Sequence, residues 1–376
     1  MNNGNTTPTQ TKIKFVQTIL AGLAVALFMA NLAIPSLVLS CVNTALFILC
    51  AYKICIKRAD FTVIVIITAV MFAMLSITSL ARMISLVVSA AAGGAMLCGS
   101  KKSRAVFIIF SAVAYLAAFA VTGSPTQAIA VFSALPAAIA FAVCSSKRVP
   151  RISSICAASA AFLITMLIPI ALSAYAEFGT DVKLFIETAR SNFSATVADT
   201  FNSMISTVGE QYAEAVSVDT LVSTAELVFT LMPALYIISA NITAFAASYL
   251  HMIIRHSLGK VPEKQEVVFV LSSVSAWIYI ISFVMMFFSF GDSNAMRVLA
   301  VSMENINLIL SPAFMLVGLF SFIAATGVRG SKPNIFKTVF IILSFMYCGA
   351  FLLYPLAATG VIMTFRVNKQ RGMKNS

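Results

Sequence analysis

His251 and His256 are the only histidines of the chain, and Arg255 stands between them. A spacing of five does not stack two ligands on one helical face, and no Cys or carboxylate accompanies the pair, so no metal site is expected there. Contact with the carboxyl-terminal dipole of a helix is the simpler role. The other chemically able side chains interrupt long apolar runs. Glu226 opens one run that also holds Pro233 and Asn241, and Glu304, Asn305 and Asn307 open another that holds Pro312. Ionisable and amide groups at membrane depth are costly and face a cavity or a partner, which makes Glu226, Asn241, Glu304, Asn305 and Asn307 a candidate intramembrane polar cluster. The two carboxylates sit near the outer boundary, where placement at a helix amino terminus explains them equally well. Asn241 lies deeper, where hydrogen bonding between helices is the common role of an Asn.

Motifs that would carry catalysis are absent from the sequence. It has no Gly-Lys-Ser/Thr phosphate loop, no Gly-x-Ser-x-Gly elbow, no His-Glu-x-x-His and no Cys-x-x-Cys. No catalytic residue, cofactor or metal is therefore expected, and the protein reads as a non-enzyme. The seven cysteines all fall within apolar runs and imply no disulfide framework.

The elements that must hold these residues are membrane spans. Sixty per cent of the 376 residues are apolar and 10% are charged, against about 25% charged in soluble domains, and the mean hydropathy is +0.98. Runs of about 20 apolar residues are long enough to cross a bilayer. The fold class is all-α, a polytopic transmembrane helical bundle of about 10 to 12 spans with one extracytoplasmic amphipathic segment. Residues 1–14 read as a disordered cytoplasmic tail and 15–151 as a six-helix amino-terminal bundle. A seventh span covers 152–175, the amphipathic segment 176–220, further spans 221–365, and a basic tail 366–376. In the amphipathic segment Val182, Phe185, Ile186, Ala189, Phe193, Val197 and Phe201 recur at steps of three and four, the stripe of a helix of about seven turns.

The formal net charge of +12 is distributed as a topology signal and forms no aromatic-interleaved patch, which argues against nucleic acid. With the amino terminus in the cytoplasm, all but Arg82, Lys183, Arg190 and Arg297 of the 25 Lys and Arg fall inside, as positive-inside asymmetry requires. An odd span count would leave Arg366, Lys369, Arg371 and Lys374 outside. Gly349, Pro355 and Gly360 then suggest that the last apolar stretch is broken and returns to the cytoplasm. Pro136, Pro169, Pro233, Pro312 and Pro355 all interrupt apolar runs, as in the discontinuous helices of transporters. Small residues recur at Gly22, Ala26 and Ala30, and again from Ser89 to Gly94, where they let helices approach closely.

The order of features resembles the YybS-like family of bacterial membrane proteins. The resemblance rests on Leu231-Met232-Pro233-Ala234-Leu235, a helix ending in Tyr249-Leu250 and Arg255, Pro262, Glu304-Asn305-Ile306-Asn307-Leu308, Gly318-Leu319 and the closing Arg366. An acidic residue commonly precedes that Arg in the family; here Thr364-Phe365 stands instead. The family is in turn similar to the substrate-binding subunits of energy-coupling-factor transporters, which dock on a transmembrane coupling subunit through an Ala-x-x-x-Ala pattern that Ala26 and Ala30 match. The resemblance implies a transport-related binding component whose first six helices enclose a small solute and whose Gly22, Ala26 and Ala30 form a helix-docking face. The alternative is a non-transporting scaffold or regulator that meets an envelope protein through the amphipathic helix. Either role has the lipid bilayer as its first partner.

Overall fold

The computed structural model describes residues 19, 23, 26–27, 37–55, 61–74, 79–123, 128–129, 132–208, 218–259, 271–286, 294–325 and 354–370. Among these no strand occurs, and twelve helices carry the fold. In chain order they are α1 (Leu37–Cys55), α2 (Phe61–Met74), α3 (Ser79–Leu97), α4 (Lys101–Thr122), α5 (Ala134–Ser146), α6 (Arg151–Phe178), α7 (Val182–Val208), α8 (Val218–Thr230), α9 (Met232–Ser257), α10 (Ser273–Met285), α11 (Asn294–Ala325) and α12 (354–370). Four stretches are long and apolar enough to cross a membrane: Lys101–Ala120, Arg151–Phe178, Met232–Ser257 and Met296–Leu319. At about 1.5 Å per residue each covers about 30 Å or more. Contacts divide the chain into two compact units, Met1–Val182 with Ser239–Glu266, and Lys183–Ile238 with Val267–Ser376.

The core of the first unit combines large side chains, among them Ile64, Ile67, Met71, Phe107, Phe141 and Phe162, with alanines where α3, α5 and α9 meet. Ala90, Ala91 and Ala92 of α3 have no exposed surface, nor do Ala134, Ala137 and Ala138 of α5 or Ala240, Ala244 and Ala247 of α9. The Ser89 to Gly94 patch is thus a buried helix crossing. A methyl group on Gly93 would run into the Phe107 ring of α4, and one on Gly94 would sit 3.0 Å from Phe141 and 3.1 Å from His251. Backbones this close gain packing and need no bulky side chain. Local signals place the ends: Ser100 caps α4 by accepting from the Ser103 N–H at 3.3 Å, and Gly123 ends it at φ +63°, which glycine adopts freely.

One end of this unit gathers the cations. Cys98 Sγ near the end of α3 lies 3.9 Å from Ala142 O of α5, Ser145 of α5 meets His251 near the end of α9, and Arg151 at the start of α6 reaches Ser248 and Met252 of α9. Lys101, Lys102, Arg104, Lys147, Arg148, Arg151 and Arg255 therefore belong to the same end. The α5–α6 turn sets Arg148 at φ +51°, a left-handed conformation that costs a non-glycine residue about 1 kcal/mol.

In the second unit α10 packs on α11, and α11 crosses α12 at a pair of glycines. A methyl on Gly318 would collide with Leu356 O, and one on Gly360 with Phe314 O. Each glycine faces the carbonyl four residues before its counterpart, an arrangement suited to Cα–H···O contacts. Gly360 therefore lies inside a helix and does not break it. Residues 336–353 of the last apolar stretch lie outside the described residues, but α12 carries Arg366 and Lys369 within it.

Three other expectations are revised. The run 221–250 is two helices, because Pro233 has no N–H for Phe229 O and its ring crowds that carbonyl. The stretch expected as the sixth span, from Ala128 to Cys144, is helical at 128, 129 and 132, turns at 133 and continues as the helix Ala134–Ser146. Pro136 and Pro233 lie in the first turns of α5 and α9, where the missing N–H has no helical acceptor to lose; Pro169 and Pro312 are inside α6 and α11.

Candidate functional site

The second unit holds an apolar cleft beside a polar network. Ser272 starts α10 by accepting from the Ser275 N–H at 3.0 Å, and the helix turns Tyr279, Ile280 and Phe283 toward α12. These residues, with Tyr354, Pro355, Ala358 and Ile362, line an open cleft of about 470 Å³ with no charged residue among the described residues that line it. Its size is within the roughly 300–1,000 Å³ of small-molecule sites, which are mostly apolar with a few placed polar groups.

Those polar groups run from α11 into α10. Asn307 is buried, its Nδ2 donates to Ser282 Oγ at 3.4 Å, and Ser282 Oγ donates to Tyr279 O at 2.9 Å. Ser311 Oγ lies 3.4 Å from Asn307 Oδ1 and 3.5 Å from the Tyr279 hydroxyl. A serine has one proton, so Ser311 donates either to Asn307 Oδ1 or to the Tyr279 hydroxyl. The chain of bonds fixes the Tyr279 side chain, whose ring packs 5.0 Å from that of Phe314.

A second polar device sits at the α8–α9 break. In an unbroken helix the Ala234 N–H would bond Thr230 O. Here the Asn305 amide of α11 stands between them: Oδ1 accepts from Ala234 N at 3.2 Å and Nδ2 donates to Thr230 O at 3.1 Å. Nδ2 also reaches Val301 O in its own helix at 2.9 Å. One carboxamide thus replaces the two ends of a missing hydrogen bond. A turn earlier, Glu226 of α8 receives Arg190 of α7 at 2.6 Å, and Phe193 packs 6.1 Å from Phe229. These two contacts tie the middle of α7 to α8.

The five polar positions singled out by sequence have separate partners. Glu226 is ion-paired, Asn305 fills the break, Asn307 belongs to the cleft network, and Glu304 is half-buried on α11. Asn241 is in the first unit, where it accepts a 2.6 Å bond from Ser159 of α6. Of the docking residues, Ala26 is helical and exposed, whereas Gly22 and Ala30 lie outside the described residues.

Sequence reasoning passed over Tyr279, Ser282 and Ser311, and it placed His251 at a helix end. Tyr279 with Ser282 and Asn307 with Ser311 are spaced three and four apart within apolar helices, a polar stripe that could have been read. His251 is buried rather than interfacial: Nδ1 lies 3.1 Å from Ala91 O, Nε2 3.2 Å from Ser145 Oγ, and the ring stacks on Phe141 at 5.4 Å. His256 is exposed. Among the described residues no group of three or more His, Cys, Asp or Glu could hold a metal ion.

Helices of this length and apolarity, with close small-residue crossings and polar side chains satisfied between helices, define an α-helical integral membrane protein. The chain belongs to the DUF2232 family of predicted membrane proteins, whose model matches residues 95–362. No curated protein and no solved structure matches it.

Proposed function

We propose that this protein is a transport-related, small-solute-binding component of the cytoplasmic membrane, with its amino terminus and the cationic end of its first unit facing the cytoplasm. The α10–α12 cleft carries this reading, in place of a chamber within the amino-terminal helices. Those helices are packed by alanines and by large side chains such as Phe107, Phe141 and Phe162, with no room for a methyl at Gly93 or Gly94, whereas the cleft offers aromatic walls and a tyrosine held by a polar network. Its lining selects a predominantly apolar solute. The role is non-enzymatic, since the sequence supplies no nucleophile, base or metal set. A count of 10 to 12 spans requires the six shorter apolar helices, extended by their flanking residues, to cross beside the four long ones. The YybS-like resemblance and the likeness to energy-coupling-factor subunits belong to the same proposal, and the exposure of Ala26 suits a face that meets a coupling subunit.

Purification from native membranes in mild detergent, with mass spectrometry of the extracted small molecules, tests the reading. A recurrent apolar solute that disappears in Ala358→Trp, while α-helical content is kept, supports it; no solute in the parent overturns it. Ala26→Phe is expected to lose a co-purifying coupling subunit. A second reading, a scaffold or regulator, is favoured by one observation: Val182, Leu184 and Ile186 of α7 are 64%, 48% and 48% exposed. Repeated recovery of an envelope protein that depends on these residues, without any solute, would select it.

A further inference from the structure

We propose that Arg151 and Arg255 form a phosphate-binding site where α6 begins and α9 ends, taking the phosphate of an anionic lipid headgroup or a free phosphate of the same chemistry. Arg151 is held in a defined plane by weak partners only. Its guanidinium carbon lies 4.3 Å above the Tyr249 ring, its Nε donates to Ser248 Oγ at 3.3 Å, and its Nη1 is 3.7 Å from Met252 Sδ. Its Nη2 is shut off from solvent and has no acceptor, and the same is true of Arg255 Nε. Ser248, Met252 and Arg255 are spaced four and three apart, so the second guanidinium stands on the α9 face that Arg151 touches, about one turn further on.

Among the described residues this end holds no carboxylate; Asp60, Glu263 and Glu266 lie outside them. Among the described residues the two ion pairs are Lys183–Glu187 and Arg190–Glu226, neither of them here. The neighbouring α5–α6 turn adds exposed Lys147 and Arg148. The first residue before α6 is Pro150, which supplies no side-chain cap, so the first-turn N–H groups of α6 also point outward without a side-chain acceptor. Buried N–H donors without acceptors are costly. A rotation of either guanidinium that opens these atoms brings them to a phosphate oxygen, which they hold by the charge-assisted bonds that guanidinium groups make in pairs. The ends of membrane spans are also the depth at which headgroup phosphates lie, and basic pockets between helices there recognise anionic lipids. The inference is independent of the cleft.

The test uses the full chain in neutral detergent. Native mass spectrometry and thermal unfolding are followed while adding phosphatidylglycerol, a neutral diacylglycerol, or inorganic phosphate, for the parent and for Arg255→Gln, Arg151→Lys and Lys101→Gln. Phosphatidylglycerol is expected to bind and raise the melting temperature. Arg255→Gln weakens that binding at least tenfold, Arg151→Lys weakens it while keeping the charge, and Lys101→Gln leaves it within twofold. Displacement of the lipid by millimolar inorganic phosphate identifies free phosphate as an acceptable source; retention identifies the headgroup. The proposal is overturned if the neutral lipid binds equally, or if both arginine variants bind phosphatidylglycerol as the parent does.

Discussion

Asn305→Ala removes the amide that stands in the α8–α9 break, and its cost can be worked from the contacts. Two hydrogen bonds between helices are lost, to Thr230 O and from Ala234 N. Such bonds within membrane proteins average about 0.6 kcal/mol and reach about 1.7. Of the groups left behind, Thr230 is half-buried and Ala234 buried, and each unsatisfied partner adds about 1 kcal/mol at the low end of the desolvation range. The expected loss is about 2–3 kcal/mol, or roughly 5–10 °C in melting temperature for a unit of this size. Asn305→Asp keeps the acceptor for Ala234 N–H but not the donor to Thr230 O, and loses about half as much or more. Ser302→Ala, an exposed change on the same helix, is the control. Thermal unfolding in detergent, read by a thiol-reactive dye, measures all three. Pro233→Ala closes the logic: with that ring gone the helix can run on, Ala234 N–H returns to Thr230 O, and Asn305→Ala in that background costs less than half its original amount. Should Asn305→Ala unfold together with the Ser302→Ala control, the amide does not brace the break and the argument fails.

Three further outcomes are expected. Gly360→Ala or Gly318→Ala forces α11 and α12 apart against a carbonyl and costs about 2 kcal/mol or more, seen as a lower melting temperature and as new labelling of a cysteine placed at position 357. His251→Leu loses two hydrogen bonds joining α9 to α3 and α5 and costs about 2 kcal/mol, while His251→Gln recovers part of that in the same unfolding assay. The half-exposed Arg190–Glu226 pair is worth less than about 1 kcal/mol in a double-mutant cycle, and its coupling energy falls in about 1 M salt, where the Debye length is roughly 3 Å.

Apolar runs and their basic punctuation made the helical fold legible, because bilayer thickness fixes the length of a span whatever its neighbours. The seventh span, expected at 152–175, is α6. The long amphipathic stripe after it is α7. Helix ends were less legible. Pro233 was noted as an interruption, yet whether a proline kinks a helix or starts a new one depends on what satisfies the freed backbone, and that partner, Asn305, lies 72 positions away in the chain. Gly360 was read as a break because glycine is a poor helix former; its role rests on the approach of another backbone, which no local pattern encodes. His251 likewise could not be told from an interfacial histidine until Ala91, Phe141 and Ser145 came to surround it. The cleft was invisible for the same reason, since Tyr279 and Tyr354 meet only through tertiary packing.

Alanine has no side-chain rotamers to freeze, so the alanine-lined meeting of α3, α5 and α9 assembles almost free of the ordering entropy that the larger side chains around it exact. The same poverty of torsions leaves it no slack: a misfit at Ala91 or Ala138 cannot be absorbed by a χ rotation and must be passed on as a displacement of whole helices. The bundle should therefore behave as a stiff block on fast timescales.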